Sequence, residues 1–176
     1  MDNRSIKLYN MIFPVFMLFA FVPGFWLISL TGNFAIDSIV LIIIMLIMFK
    51  KIDWSIYKKT IIKIWIFGFI SDLIGSLYLI LMSILLGTEY MEGKDLLRQI
   101  KTGIYLATNH SPHESVWGVL FIVSGILVSA ICIFAFNYFI SFKRIKISKK
   151  QKILSSLSFA IFTAPYAFLL PKELFY

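Results

Sequence analysis

The sequence predicts an all-α, polytopic integral membrane protein built as a bundle of five transmembrane helices. Hydrophobic residues make up 60% of the 176 residues, and the mean hydropathy is +0.88. Charged residues make up only 15%, against about 25% in soluble domains. A soluble fold of this length could not bury so much apolar surface. Lipid is therefore the expected solvent for most of the chain, which we treat as one membrane domain spanning residues 1–176.

Five apolar segments are candidates for membrane spans, each of which needs about 20 apolar residues. The predicted spans are residues 10–30, 34–49, 61–87, 116–142 and 153–170. The second is the shortest and would need a locally thinned bilayer. The first is too long for the apolar core of a signal peptide, and no small-residue cleavage motif follows it. The tripeptide Thr-Gly-Asn at residues 31–33 is the predicted connection between the first two spans.

The basic residues are distributed unevenly between the two sides of this arrangement. Thirteen of the 17 Lys and Arg residues fall at span ends that share one side. They are Arg4, Lys7, Lys50, Lys51, Lys58, Lys59, Lys63, Lys143, Arg144, Lys146, Lys149, Lys150 and Lys152. Basic residues near span ends stay in the cytoplasm, so the N-terminus is predicted inside and the C-terminus outside.

The protein carries a net charge of +8. In a soluble protein it would suggest nucleic acid as a partner, but no nucleic-acid-binding motif accompanies the charges. Basic loops beside a bilayer instead attract anionic lipid headgroups. The expected partner is therefore the lipid bilayer, and the expected location is a cell membrane, as the multi-pass protein of a bacterial cytoplasmic membrane.

The only long loop, residues 88–115, is predicted to face outward. Leu97, Ile100 and Ile104 recur at helical spacing, which favours a short helix lying at the interface. Gly103 is expected to end or weaken that helix.

The end of the same loop contains residue types found in metal sites. His110, His113 and Glu114 are close in sequence and can ligate zinc, but Pro112 prevents the two histidines from sharing a helical face. Ser111, Pro112 and Glu114 fit a capping box at the start of the fourth span. We favour the cap, keep the metal site as the weaker alternative, and expect no cofactor.

Two acids fall inside predicted spans. Asp72 lies near the middle of the third span, where insertion scales disfavour Asp by about 2.5–3.5 kcal/mol. Asp37 lies three residues into the second span, where headgroups or water could reach it. At 1.5 Å per residue the predicted depths from the outer surface are about 5 Å for Asp37 and about 22 Å for Asp72. The two carboxyl groups are therefore not expected to form a protease-like dyad.

Asp72 belongs to a helical face of small and polar residues, which suits close packing among the third, fourth and fifth spans. That face comprises Gly68, Asp72, Gly75, Ser76, Leu79 and Ser83. Asp72 has three interpretations: it is protonated and hydrogen-bonded, it faces a hydrated cavity that binds a cation or substrate, or it pairs with a base on another subunit. The candidate pathway residues are Asp72, Ser71, Ser76, Asn137 and Asp37.

Three functional hypotheses follow from these features. The first is passage of a small solute, ion or proton past Asp72, because intramembrane acids often mark such pathways. The second is a non-catalytic accessory or assembly subunit of a larger membrane complex. The third is a membrane-embedded enzyme or immunity-type protein acting at the outer surface, although no catalytic motif is recognisable. Five spans are few for a carrier, so self-association or other membrane subunits are expected.

Overall fold

The structure is a computed structural model that describes residues 23–87, 90–91 and 93–170. These residues form helices and turns, with no strand among them. The five α-helices are α1 (Pro23–Phe49), α2 (Trp54–Leu86), α3 (Leu96–Asn109), α4 (Val116–Phe136) and α5 (Lys149–Phe162). A π-helical turn (Asn137–Ser141) continues α4, and 3-10 turns occur at Pro112–Glu114 and Tyr166–Leu169.

Within the described part of the chain, four helical segments are long and apolar enough to cross a membrane. They lie in α1, in α2, in α4 with its π-helical turn, and in α5 with the 3-10 turn that follows it. The predicted all-α membrane class is therefore confirmed. Most of the first predicted span lies outside the described residues, and the predicted orientation of the termini stays a prediction.

The predicted connection at residues 31–33 is wrong, because α1 runs through it without a break. Glycine in a helix interior costs only about 1 kcal/mol relative to alanine, and tertiary contacts readily offset that amount. Gly32 has nothing within 4 Å of its missing Cβ. Asn33, which suggested a turn in the sequence, has a hydrogen-bond partner on α2 instead.

Helix α2 begins at Trp54, seven residues before the predicted start of the third span. Asp53 caps it, accepting hydrogen bonds from the backbone N–H groups of Ser55 at 2.9 Å and Ile56 at 3.1 Å. The helix has 33 residues and is about 50 Å long at 1.5 Å per residue. It is therefore longer than the roughly 30 Å of bilayer hydrocarbon, and its first turn and a half, with Lys58 and Lys59, is expected to lie outside it.

The membrane-crossing helices form a closed ring in which α1 contacts α2, α2 contacts α4, α4 contacts α5, and α5 contacts α1. The whole predicted small and polar face of α2 is buried, as expected. Helices α2 and α4 approach closely, because a Cβ on Gly75 would lie 2.8 Å from the carbonyl oxygen of Gly125 and would also strike Ser129. Large apolar side chains cover the outside of the ring, where lipid is expected; examples are Ile43, Ile47, Ile66, Leu81, Ile84, Leu127, Ile131 and Ile161.

The two ends of the bundle differ in charge. The connections 50–53 and 142–148 lie at the same end, since Lys59, Lys63 and Arg144 line one cavity there. We call this the basic end, and the opposite end, which carries α3, the α3 end. Which compartment each end faces stays a prediction.

Each end has its own apolar cluster. The α3-end cluster consists of Leu79, Ile104, Ala107, Phe121, Ile122, Ile126, Ala164 and Phe168. The basic-end cluster consists of Leu41, Ile44, Met45, Ile61, Ile64, Ile133, Phe142, Phe159 and Ala160. Buried polar residues occur at both ends, where Thr60 adjoins Ile61 and Thr108 adjoins Ala107, and also between the two clusters.

Helix α3 packs against the beginning of α4. Gly103 lies inside α3 rather than at its end, and its backbone touches Trp117 and Gly118. Its lack of a side chain permits this contact, so the expectation that it would end the helix is wrong. The indole of Trp117 donates a hydrogen bond to Gln99 Oε1 at 3.2 Å.

The predicted cap is confirmed in part: Ser111 is an N-cap and Pro112 follows it, but they begin a 3-10 turn and not the helix of the fourth span. The Ser111 hydroxyl accepts from the backbone N–H of His113, which caps only the 3-10 turn Pro112–Glu114. Helix α4 has a separate cap, Ser115, whose hydroxyl accepts from the backbone N–H of Trp117 at 3.2 Å. The extended backbone of Ser115 separates the two elements.

Candidate functional site

Asp37 and Asp72 lie near the middle of the bundle, with Asp37 about one helical turn closer to the basic end. Fourteen residues separate Asp37 from Pro23, where α1 begins, and fourteen separate Asp72 from Leu86, where α2 ends. Both of those helix ends lie at the α3 end, so each acid is about 21 Å along its own helix from that end at 1.5 Å per residue. Each residue is 2% exposed. The predicted shallow position of Asp37 is wrong, because α1 continues two turns past the expected connection.

The two acids meet at the interface between α1 and α2. Asn33 Nδ2 donates a hydrogen bond to Asp72 Oδ2 at 3.0 Å, and Asn33 lies one turn from Asp37 on α1. Asp37 Oδ2 in turn faces Gly68, one turn from Asp72, where a Cβ would lie 3.5 Å away. These two contacts, each within one turn of both acids, bring the carboxyl groups into the same region of the interface. We call Asp37 and Asp72 the acid pair; the wide separation predicted for them is wrong.

The acid pair is only partly satisfied by hydrogen bonds. Among the described residues, Asp37 Oδ2 and Asp72 Oδ1 are buried without a partner, and neither acid has a basic side chain within ion-pair distance. The hydroxyl of Thr163, the residue after α5, donates to the Phe159 carbonyl at 2.9 Å. Two bare carboxylates in such an interior would be very costly. The site therefore requires a proton or a cation.

The predicted companions Ser71 and Ser76 are buried beside Asp72. Their hydroxyls donate to carbonyls of their own helix, Ser71 to Phe67 at 2.7 Å and Ser76 to the backbone of Asp72 at 2.9 Å. This i to i−4 bonding satisfies a serine donor within the helix. Both oxygens keep lone pairs, so these side chains can still accept hydrogen bonds from a water or ligand.

Asn137 is fully buried, and neither atom of its side-chain amide has a hydrogen-bond partner among the described residues. It begins the π-helical turn that follows α4, and such turns are frequent at functional sites. The preceding ring, Phe136, lies 5.1 Å from that of Phe67 on α2. This contact puts Asn137 about 9 Å, or nearly two turns, from Asp72 toward the basic end at 1.5 Å per residue.

Apolar side chains enclose the acid pair on both sides. Leu79, of the α3-end cluster, lies two turns from Asp72 in one direction along α2, and Ile64, of the basic-end cluster, lies two turns away in the other. Leu41 lies one turn from Asp37 toward the basic end. Apolar side chains of both clusters thus lie within about two turns of the acid pair.

Asn33 is the site residue that sequence reasoning missed. A signal was present, since Asn33 and Asp37 are four residues apart and hence on one helical face. Assigning Asn33 to a surface connection concealed that relationship, because the two residues were then placed in different elements.

The weaker metal alternative gains no support from the geometry. Across residues 23–87, 90–91 and 93–170, no three His, Cys, Asp or Glu side chains are grouped so that they could hold a metal ion, and this includes His110, His113 and Glu114. His113 Nε2 instead forms a 2.7 Å hydrogen bond with the Leu169 carbonyl oxygen. That bond joins the turn before α4 to the turn after α5.

No protein-family model, curated protein or solved structure matches the chain.

Proposed function

We propose that the protein mediates or supports the passage of a proton or small monovalent cation through the bilayer, with the acid pair as its binding site. The observation that carries this proposal is the pair of unpartnered oxygens, Asp37 Oδ2 and Asp72 Oδ1, buried side by side in the middle of the bundle. Intramembrane acids are costly and commonly mark ion or proton pathways. The positive charge that this site requires would come from solution.

The size of the site favours a proton or small cation over an organic solute. A methyl group placed on Gly68 would already be in van der Waals contact with Asp37 Oδ2, at 3.5 Å. The space between them therefore holds about one methyl group. Asn33 already occupies one oxygen of Asp72. A larger solute would have to separate α1 from α2, which the buried contacts between them oppose.

Further unpartnered polar groups support a route along α4. Ser129 and Asn137 are each buried with a side-chain polar atom lacking a partner among the described residues. Ser129 lies against Gly75, about one turn from Asp72 toward the α3 end, whereas Asn137 lies toward the basic end. Such groups could hydrate a moving cation once the apolar clusters part, a gating motion of the kind that membrane and soluble proteins use to expose a site. Self-association or partner subunits would complete so small a carrier.

The test is a flux measurement with the purified chain in liposomes. Wild type should dissipate an imposed proton, Na⁺ or K⁺ gradient faster than protein-free liposomes, and Asp72→Asn or Asp37→Asn should abolish the difference. The matched control is Asp95→Asn, since Asp95 is an exposed acid outside the ring. A wild-type protein that is folded, yet moves none of these ions, would refute the proposal.

One observation favours the accessory hypothesis instead. The hydrogen bond from Asn33 to Asp72 joins α1 to α2, and interhelical hydrogen bonds can serve helix association alone. On that hypothesis Asp72→Asn changes bundle stability or assembly, and no gradient is dissipated by either form. Measuring flux and thermal stability on the same preparations separates the two functions.

A further inference from the structure

A second polar site lies at the basic end of the bundle, away from the acid pair. It is a cavity of about 360 Å³ lined by Lys59, Lys63, Ser141, Arg144 and Ile145. The two lysines are one turn apart near the beginning of α2, Ser141 ends the π-helical turn, and Arg144 lies in the connection that follows. The fold thus brings together two basic segments that are far apart in the sequence.

Ser141 gives this cavity a directional hydrogen-bonding group. The residue is 1% exposed, it lines the cavity, and its hydroxyl has no hydrogen-bond partner among the described residues. A buried hydroxyl without a partner is unfavourable. An oxygen atom of a ligand in the cavity would satisfy it.

The charges around Ser141 specify the sign of that ligand. Among the described residues, no carboxylate lies within ion-pair distance of Lys59, Lys63 or Arg144. Asp53, the acid that precedes α2, is engaged in capping that helix. Lys63 is half-buried, so solvent screens its charge less than that of a fully exposed lysine. Three like charges around one cavity repel each other, and a bound anion would relieve the repulsion.

We propose that this cavity binds a phosphate group, carried by the headgroup of an anionic phospholipid or by a small soluble phosphate ester. Arginine matches phosphate oxygens with its planar fork of donors, lysines add point charges, and the serine hydroxyl donates a hydrogen bond. Basic pockets between membrane helices are known to bind anionic headgroups. This proposal does not depend on the acid pair. Basic loops alone predict only a diffuse attraction to anionic headgroups, whereas this proposal assigns the phosphate to one cavity.

The experiment compares two sources of phosphate. The full chain is placed in nanodiscs of phosphatidylcholine with and without phosphatidylglycerol, and native mass spectrometry counts the retained phosphatidylglycerol. In the second arm, glycerol 3-phosphate is titrated calorimetrically onto the chain in pure phosphatidylcholine nanodiscs. The variants are Lys63→Gln and Ser141→Ala. The matched control is Lys150→Gln, which removes an exposed charge near the beginning of α5, outside the cavity lining.

Wild type should bind in at least one arm, and the arm identifies the source of the phosphate. Lys63→Gln should weaken binding roughly tenfold or more, as expected for a lost charged hydrogen bond, while Lys150→Gln should bind like wild type. If Lys63→Gln fails to fold, the weaker binding expected of Ser141→Ala remains the test. Absence of binding in both arms would overturn the proposal, and so would equal losses in Lys63→Gln and Lys150→Gln, which would indicate diffuse surface attraction.

Discussion

Asn33 of α1 donates a 3.0 Å hydrogen bond to the Asp72 carboxyl of α2, between residues 39 positions apart in the sequence. Because α1 and α2 are antiparallel neighbours, this bond also brings Asp37, one turn from Asn33, beside Gly68. The register set by this polar contact therefore places the two intramembrane acids within about one helical turn of each other.

Asn33 and Asp72 are expected to be energetically coupled. Asn33→Leu leaves Asp72 Oδ2 without its buried donor and should destabilise the bundle, whereas replacing both residues with leucine should recover part of the loss. A double-mutant cycle on the free energy of unfolding in mild detergent should give a coupling of about 0.5–2 kcal/mol. Strictly additive effects would mean that the bond contributes nothing to stability.

Gly75→Ala is expected to push α2 away from α4. The added Cβ would lie 2.8 Å from the backbone carbonyl oxygen of Gly125 and would also strike Ser129. A backbone carbonyl, unlike a side chain, has no alternative rotamer that would relieve the clash. Overpacking of this kind costs about 1–3 kcal/mol, which should lower the thermal midpoint in detergent. Gly32→Ala is the matched control, since nothing lies within 4 Å of its Cβ position and the substitution should leave the midpoint unchanged or raise it.

Gly68→Ala should separate function from stability. Its Cβ fits at ordinary contact distance, 3.5 Å from Asp37 Oδ2, and alanine favours a helix by up to about 1 kcal/mol over glycine. The bundle should therefore be at least as stable as wild type. The methyl group nevertheless fills the space beside the unpartnered carboxyl oxygen, so proton or cation flux in liposomes should fall. Unaltered flux in this variant would argue that the space beside Gly68 is not part of the route.

Continuity of α1 can be checked by thiol labelling. Ala35 is exposed on the outside of the ring and lies twelve residues after Pro23, about 18 Å along the helix. In a Cys132→Ala background, Ala35→Cys should resist a membrane-impermeant maleimide from either side of the membrane. Lys94→Cys and Lys146→Cys, both exposed, should react from opposite sides and so report the orientation. Rapid labelling at Ala35→Cys would contradict a continuous α1 and would indicate a surface connection at residues 31–33.

Much of the fold could be predicted from residue type and spacing. Long apolar segments predict membrane helices because each helix satisfies its own backbone hydrogen bonds in lipid. The buried face of α2 was predictable as well, since Gly68, Asp72 and Gly75 recur at helical spacing and small residues permit close packing. The burial of Asp72 follows from the same pattern.

The boundaries of α1 and α2 were less predictable. Thr-Gly-Asn at residues 31–33 has the local preferences of a turn. The lysines near the beginning of α2 are charged, as loop residues outside a membrane usually are. Local preferences of about 1 kcal/mol per residue are readily outweighed by a hydrogen bond and packing contacts formed with distant residues. The start of α2 also depends on the cap supplied by Asp53.

By itself the sequence determined that the chain is a helical membrane protein, that it carries two intramembrane acids, and that its basic residues concentrate on alternate connections. Only the tertiary structure decided that Asp37 and Asp72 lie within about one turn of each other and that Lys63 and Ser141 share one cavity. The physical reason is that composition and periodicity specify what a helix faces, whereas the register between antiparallel helices comes from contacts such as that of Asn33 with Asp72. Those contacts join residues whose partners cannot be identified from spacing along the chain.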